Sequence, residues 1–287
     1  MNERRFGGVV GRFHGAMLSV ADRIGTPDSA VRKRFSSAYG DLLYALTLGR
    51  GVEAKLNGES FHVDPRLRWF LHPEYEAELA GYLRRKIPPG AVCLDIGAHI
   101  GVYAMQIARW IGPSGRVIAF EPNPGTAPIL RRHLRMNDLG GIVRVEETAL
   151  GRQSGTASLF GVPGSGLSRL GAPNPIAVDT LPASSVAVGT VDAYCAANRI
   201  DPDWILIDVE GLEFDVLSGA VETIRRRGSA LSIVVEIHPT LWPLTPWTRD
   251  TVEALFRSIG RRAVSIVGQQ DPLGDYGSIS LEPVAES

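Results

Sequence analysis

Val92-Cys93-Leu94-Asp95-Ile96-Gly97-Ala98-His99-Ile100-Gly101 is the stretch that decides the fold. A short apolar run ends on an acid, passes into a glycine turn and continues into Tyr103–Trp110, which has helical character. Strand, turn and helix in that order open an α/β unit. In open α/β sheets ligands collect in the crevice beyond the carboxyl ends of the strands, where glycines let the backbone come close to a bound molecule.

Outward from this stretch the rhythm repeats. Val117–Phe120, Ile142–Val145, Trp204–Ile207 and Leu231–Ile237 are further short apolar strands, and amphipathic stretches separate them. Leu212–Arg225 is expected as one helix, with Val216, Leu217, Ala220, Val221 and Ile224 on one stripe. Such alternation predicts a mostly parallel sheet covered on both faces. Gly151–Gly189 breaks the rhythm with seven Gly, four Pro and six Ser, and Gly161–Pro175 carries Arg169 as its one charge. A loop of that length is expected to be functional or a plain insertion, and residues 161–185 are read as a possible lid.

Upstream, Asn57-Gly58 lies between Val52–Leu56 and Ser60–Val63, the pattern of a tight hairpin. Pro73 is expected to open a helix that ends in Arg84-Arg85-Lys86 and is stopped by Pro88-Pro89-Gly90. Phe6, Val9, Val10, Phe13, Met17, Val20 and Ile24 approximate a helical stripe. The expected organisation is an N-terminal helical and hairpin extension over residues 1–70, followed by one α/β domain over 71–287.

Composition bounds the function. The chain of 287 residues has 44% apolar and 21% charged residues and a net charge of −1, values of an ordinary globular protein. Residues 1–40 hold seven Arg or Lys against three acids, and the remainder is acidic, so the basic stripe of a dedicated nucleic-acid binder is missing and no nucleic-acid partner is expected. Two cysteines support neither a disulfide framework nor a multi-thiolate zinc site. No run approaches the length of a transmembrane segment, and a cytoplasmic location is expected.

Spacing narrows the ligand. A dinucleotide fingerprint reads G-x-G-x-x-G, its second glycine admitting the pyrophosphate. Here His99 occupies that position, and Asp95 ends the strand where it would repel phosphate. The pattern D-x-G-x-x-x-G instead resembles the first motif of S-adenosylmethionine-dependent methyltransferases. Glu121, 26 residues after Asp95 in Phe120-Glu121-Pro122-Asn123, is placed to accept ribose hydroxyls, a role it could play for either cofactor.

Four blocks in order, DIGAHIG at 95–101, FEPNP at 120–124, Ala149-Leu150-Gly151 and IDVEGLEFDVLSGA at 207–220, resemble the FkbM family of methyltransferases, and Tyr75-Glu76 fits its leading helix. The resemblance spans roughly residues 70–240. It departs at His99, where relatives commonly carry Asn, and at Leu206, where they commonly carry Lys. It implies a Rossmann-like class I methyltransferase sheet of seven strands, with the strands ending at Asp95, Asp208 and Glu236 adjacent and the first of them central. It also implies S-adenosyl-L-methionine as cofactor. The expected cofactor residues are Asp95, Gly97, His99, Gly101, Glu121 and Asn123, with Asn137 and Glu147 near the adenosine.

On the acceptor side, Glu236 and His238 are two apart on a strand and project the same way, beside Asp208. His238 is the first base candidate and Asp208 the second, because a hydroxyl becomes a good nucleophile only as its proton leaves. Glu213 reads as a helix-start carboxylate. Whether Asp208, Glu210, Glu236 and His238 hold a divalent metal stays open. The expected activity is methylation of a hydroxyl on a sugar, glycan or polyketide-like small molecule. A non-catalytic cofactor-binding module and a nicotinamide-dependent oxidoreductase are the alternatives.

Overall fold

The computed structural model describes residues 30–71, 73–177 and 183–284. The helical stripe at 6–24 lies outside them. Two compact units emerge from the contacts, one drawn from residues 1–55 and 60–72, the other from 56–59 and 73–287.

In the first unit, α1 (Ala30–Leu46) is a helix the sequence reading does not anticipate. Arg66 lies 4.1 Å from the centroid of its Tyr44 ring and is held by the Asp64 carboxylate. Strands β1 (Val52–Leu56) and β2 (Glu59–Val63) form the expected hairpin. Asn57 and Gly58, with φ of 49° and 84°, supply the two left-handed residues of its turn.

The second unit is built on a seven-stranded sheet. In chain order its strands are β3 (Val92–Ile96), β4 (Arg116–Phe120), β5 (Val143–Glu146), β10 (Trp204–Ile207), β11 (Ser232–Ile237), β12 (Arg261–Ser265) and β13 (Gly277–Pro283). Across the sheet the order is β12-β13-β11-β10-β3-β4-β5, all parallel except β13, which runs antiparallel to both neighbours. This is the mostly parallel seven-stranded sheet expected. Strands β11, β10 and β3 are adjacent, but the middle position belongs to β10 and not to β3. The cause is the pair β12 and β13, which adds two strands beyond β11. The strands are apolar on both faces: Leu94, Ile96, Ile118, Phe120, Ile205, Ile207, Ile233 and Val235 share one core with Phe214 and Leu217, and Cys93, Val117, Ala119, Leu206 and Val234 are buried on the other face.

Two helices differ from expectation. Helix α2 spans Ala77–Lys86 and does not start at Pro73. Asn57 donates from its backbone to Pro73 O and from its side chain to Tyr75 O, both at 2.8 Å, and Glu76 sits at φ 42°, so the first turn cannot be helical. The stretch 212–225 is two helices, α6 (Glu213–Ser218) and α7 (Val221–Arg227), after α3 (Val102–Ile111), α4 (Ala127–Met136) and α5 (Val191–Asn198). Gly219 breaks it. Its carbonyl is taken by Asp192 N, and a Cβ there would lie 2.1 Å from Gly151 O.

The glycine-rich excursion is also more than a loop. Strands β6 (Ala149–Leu150), β7 (Gly155–Phe160), β8 (Arg169–Leu170) and β9 (Ser184–Gly189) form a second sheet in the order β6-β9-β7-β8. Of the proposed lid, residues 178–182 lie outside the described part.

Candidate active site

Five strand ends build one cleft. Parallel β3, β4, β10 and β11 deliver Asp95, Glu121, Asp208 and Glu236 to the same sheet edge, and antiparallel β13 brings its beginning, Tyr276 and Ser278, to that edge as well. The start of α2 contributes Tyr75 and Glu76, and the second sheet contributes Leu159, Leu170 and residues 165–168. The cavity measures about 230 Å³.

The turn after β3 has a physical reason for its first glycine. Gly97 adopts φ 93°, and a Cβ there would fall 1.7 Å from the carbonyl oxygen of Asp208. Neighbouring β10 passes so close that only glycine fits. His99 follows at φ 48°; its backbone N donates to Glu121 Oε2 at 2.9 Å, while its Nε2 pairs with Gly164 O at 2.9 Å. Burial lowers the His99 imidazole. Glu121 also accepts from Asn123 N at 2.8 Å, so both its oxygens are aimed by backbone amides. Burial pushes Glu121 up to about 7, those amides opposing it. Asp95 is likewise raised by burial to about 7, and its buried Oδ2 has no hydrogen-bond partner among the described residues.

The far side of the cleft is denser in charge. His238 is 8% exposed. Its Nδ1 meets Glu213 Oε1 at 2.7 Å, and its Nε2 stands 3.8 Å from both Asp208 Oδ1 and Glu210 Oε2. Burial alone would lower this imidazolium, but the bond to Glu213 and the charges of Glu213, Glu210 and Glu236 carry it up to about 9. Asp208 is raised well above the carboxylate range, by desolvation first and then by repulsion from Glu236, Glu210 and Glu76. Glu210, raised by burial to about 7, accepts from Asn174 Nδ2 at 2.9 Å. Tyr276 donates its hydroxyl to Glu236, and Tyr103 donates to Glu76 Oε2 at 2.6 Å.

Of the residues singled out from sequence, Asp95, Gly97, His99, Glu121, Asp208, Glu236 and His238 meet around this cleft. Four stand outside its lining. Gly101 faces α4, where a Cβ would fall 2.3 Å from Leu130 Cδ1, so packing explains that glycine. Asn123 is buried beneath the rim, its side chain accepting from Gly125 N and donating to Ser168 Oγ. Asn137 ends α4 and donates to His133 O at 2.8 Å. Glu147 pairs with Arg131 on the surface. Glu213 does sit at a helix start, accepting from Gly211 N at 2.7 Å, but it is fully buried and also grips His238, which periodicity does not reveal. Tyr103 and Tyr276 carry no functional signal in the sequence, and Glu76 carries one only through the Tyr75-Glu76 pair of the family resemblance. Backbone strain marks the same place, because Glu76, His99 and Glu210 all line the cleft with φ between 42° and 53°.

The chain resembles known proteins in the same region. A family model described as the methyltransferase FkbM domain matches residues 95–261, more than half of the chain. "Methyltransferase 1" of Beauveria bassiana is 26% identical over 167 residues, which cover 52% of this chain and 66% of that protein. "Methyltransferase sdnD" of Sordaria araneosa is 31% identical over 77 residues, 27% of this chain and 29% of that one. The chain thus spans less than two thirds of the length of these relatives. A solved FkbM methyltransferase from Methylobacillus flagellatus KT aligns over 96% of this chain and 60% of its own at 15% identity and a TM-score of 0.43. On the strength of the family match, this protein belongs to the FkbM methyltransferase domain family.

Proposed function

We propose that the protein is an S-adenosylmethionine-dependent O-methyltransferase acting on a hydroxyl of a sugar, glycan or polyketide-like molecule, with residues 71–287 as its catalytic domain. The observation that carries this reading is the Glu121 carboxylate. It lines the cleft at the end of β4, fixed by two backbone amides, one from Asn123 and one from His99 in the turn that Gly97 opens.

The cleft residues fit the cofactor. Glu121 offers its remaining lone pairs to ribose hydroxyls, and the orphaned Asp95 Oδ2 is a buried acceptor for a cationic or hydroxyl group. Phe120, Leu150 and Leu159 provide apolar wall for the base. When bound, S-adenosylmethionine supplies an electrophilic methyl group on a sulfonium. The abundance of carboxylates suits that positive charge. It suits a pyrophosphate poorly, which disfavours the nicotinamide alternative.

Asp208, Glu236 and His238 face the acceptor half of the cleft, where they orient the hydroxyl and assist loss of its proton. Glu213 holds the imidazole and fixes which nitrogen faces the cleft. Residues 165–168 line the cleft, and their segment is tied down through His99 to Gly164 and through Asn123 to Ser168. Leu206, buried at 6% exposure behind Asp208, gives the pocket no cation with which to bind an anionic acceptor.

The test is calorimetry with S-adenosylhomocysteine and NADH, followed by transfer of labelled methyl to a panel of neutral glycans and hydroxylated small molecules. Binding of the first ligand with turnover supports the proposal. Binding without turnover on any acceptor supports the non-catalytic module, and selective NADH binding overturns both.

A further inference from the structure

We propose that the acceptor half of the cleft binds a hard divalent cation of the Mn²⁺ or Mg²⁺ type through Asp208, Glu236 and His238. One ligand atom from each of the three lies within 4.8 Å of the other two. Hard divalent cations take their ligands at about 2.0–2.6 Å, so one ion bridges donors up to about 4–5 Å apart.

A cluster of acids alone would not make a site; the histidine supplies the second observation. His238 is 8% exposed and committed on Nδ1 to the fully buried Glu213, which lies outside the ligand set. Its Nε2 forms no hydrogen bond among the described residues and points at the acids, with Asp208 Oδ1 at 3.8 Å. A carboxylate behind the far nitrogen of an inward-facing imidazole is the outer-shell arrangement that orients metal-binding histidines. Tyr276 steadies Glu236 in the same way.

Charge points in the same direction. Glu76, Asp95, Glu121, Asp208, Glu210 and Glu236 line the cleft, and no Lys or Arg does among the described residues. Arg169, electrostatically coupled to Glu213 and Glu210, is outside the lining and donates to the carbonyls of Leu170 and Ala172. Two carboxylates and one imidazole form a mixed oxygen and nitrogen set that suits Mn²⁺ or Mg²⁺ better than a thiophilic metal. Asp208, half exposed to the cleft, leaves room for a water or an acceptor oxygen on the ion.

The inference deepens the proposed methyl transfer, in which the ion would hold the acceptor hydroxyl and acidify it. The O–H bond breaks with its electron pair staying on oxygen. The proton passes to solvent water, which reaches the cleft where the Asp208 side chain is half exposed. The oxygen then takes the methyl group, and the sulfonium leaves as a neutral thioether.

The experiment is Mn²⁺ titration of the full chain followed by electron paramagnetic resonance, with S-adenosylhomocysteine binding measured in the same samples. One Mn²⁺ per chain is expected, with spin-echo modulation from a coordinated imidazole nitrogen. Asp208→Asn and Glu236→Gln should weaken binding about 100-fold or more, and Glu213→Gln about 10-fold with the nitrogen signal retained. His238→Asn should remove that signal. Unchanged circular dichroism and homocysteine-nucleoside affinity show that each variant is folded. Absence of stoichiometric Mn²⁺, or Mn²⁺ indifferent to Asp208→Asn and Glu236→Gln, overturns the metal site even where S-adenosylhomocysteine binds. Specific Mn²⁺ without S-adenosylhomocysteine binding keeps the site and overturns the cofactor reading instead.

Discussion

The two halves of the cleft are made differently. At the β3 and β4 edge, Asp95, Gly97, His99 and Glu121 lie within 27 residues of sequence, and Glu121 is held by backbone amides two and 22 residues away. At the β10, β11 and β13 edge, His238 is gripped by Glu213, 25 residues distant, and Glu236 by Tyr276, 40 residues distant. The first half presents isolated carboxylates with fixed amide donors, and the second presents carboxylates facing one another and an imidazole. One half is suited to grip a constant nucleoside. The other concentrates charge where a proton must move.

The comparison breaks most severely at the residue the halves share. Gly97→Ala would drive a Cβ into Asp208 O at 1.7 Å and force a positive φ on an L residue. It should cost about 3 kcal/mol or more, lower the melting temperature by roughly 6–12 °C and abolish binding on both sides. A melting temperature within a degree or two of the parent would show that β3 and β10 are not so closely packed.

Next in size is Glu121→Ala, which strips a buried acceptor from His99 N and Asn123 N as well as from the cofactor. S-adenosylhomocysteine affinity should fall about 10- to 100-fold by calorimetry. Mn²⁺ affinity in the other half should hold. Loss of both would mean that the halves are one unit.

The pH dependence sharpens the same point. Burial raises Glu121 to about 7 in the free protein, and ribose binding requires the carboxylate form. Cofactor affinity should therefore be fully present above pH 7 and decline toward a tenfold loss per unit as pH falls below it. The same shift favours the empty folded state at low pH: this contribution is complete below the ordinary glutamate value and is lost as pH rises through about 7. A pH-independent affinity between 5.5 and 8 would remove Glu121 from the ribose.

Tyr276→Phe removes one hydroxyl donor from Glu236. Turnover should fall about 3- to 10-fold, with cofactor affinity unchanged, the scale of one ordinary net hydrogen bond. The smallest effect belongs to Glu147→Gln, at an exposed ion pair with Arg131 outside the cleft. Stability and cofactor affinity should stay within about 0.5 kcal/mol; a larger change in affinity would put Glu147 back beside the adenosine.

The legibility of the sequence follows the same division. Apolar runs bounded by turns announce β3, β4, β5, β10 and β11, because parallel strands buried on both faces must be continuously apolar. The hairpin is equally readable, since Asn57-Gly58 tolerates the φ values its turn needs. Helix ends are less so: Pro73 and Leu212–Arg225 look helical locally, yet Asn57 and Asp192 take the carbonyls that longer helices would use. Gly101 and Asn123 belong to motif positions whose burial under neighbouring elements the motif itself does not express.

By itself the sequence determined the α/β alternation, the glycine turn after β3 and the carboxylate at the end of β4, because all three are local requirements of backbone conformation and apolar periodicity. Only the tertiary structure decided that β10 is the middle strand, that the glycine-rich excursion folds into a second sheet, and that Glu76, Glu213 and Tyr276 join Asp208, Glu236 and His238. Those groups come from segments as much as 200 residues apart. The physical reason is that register and strand order place them at one edge, and no spacing along the chain records which strand ends become neighbours.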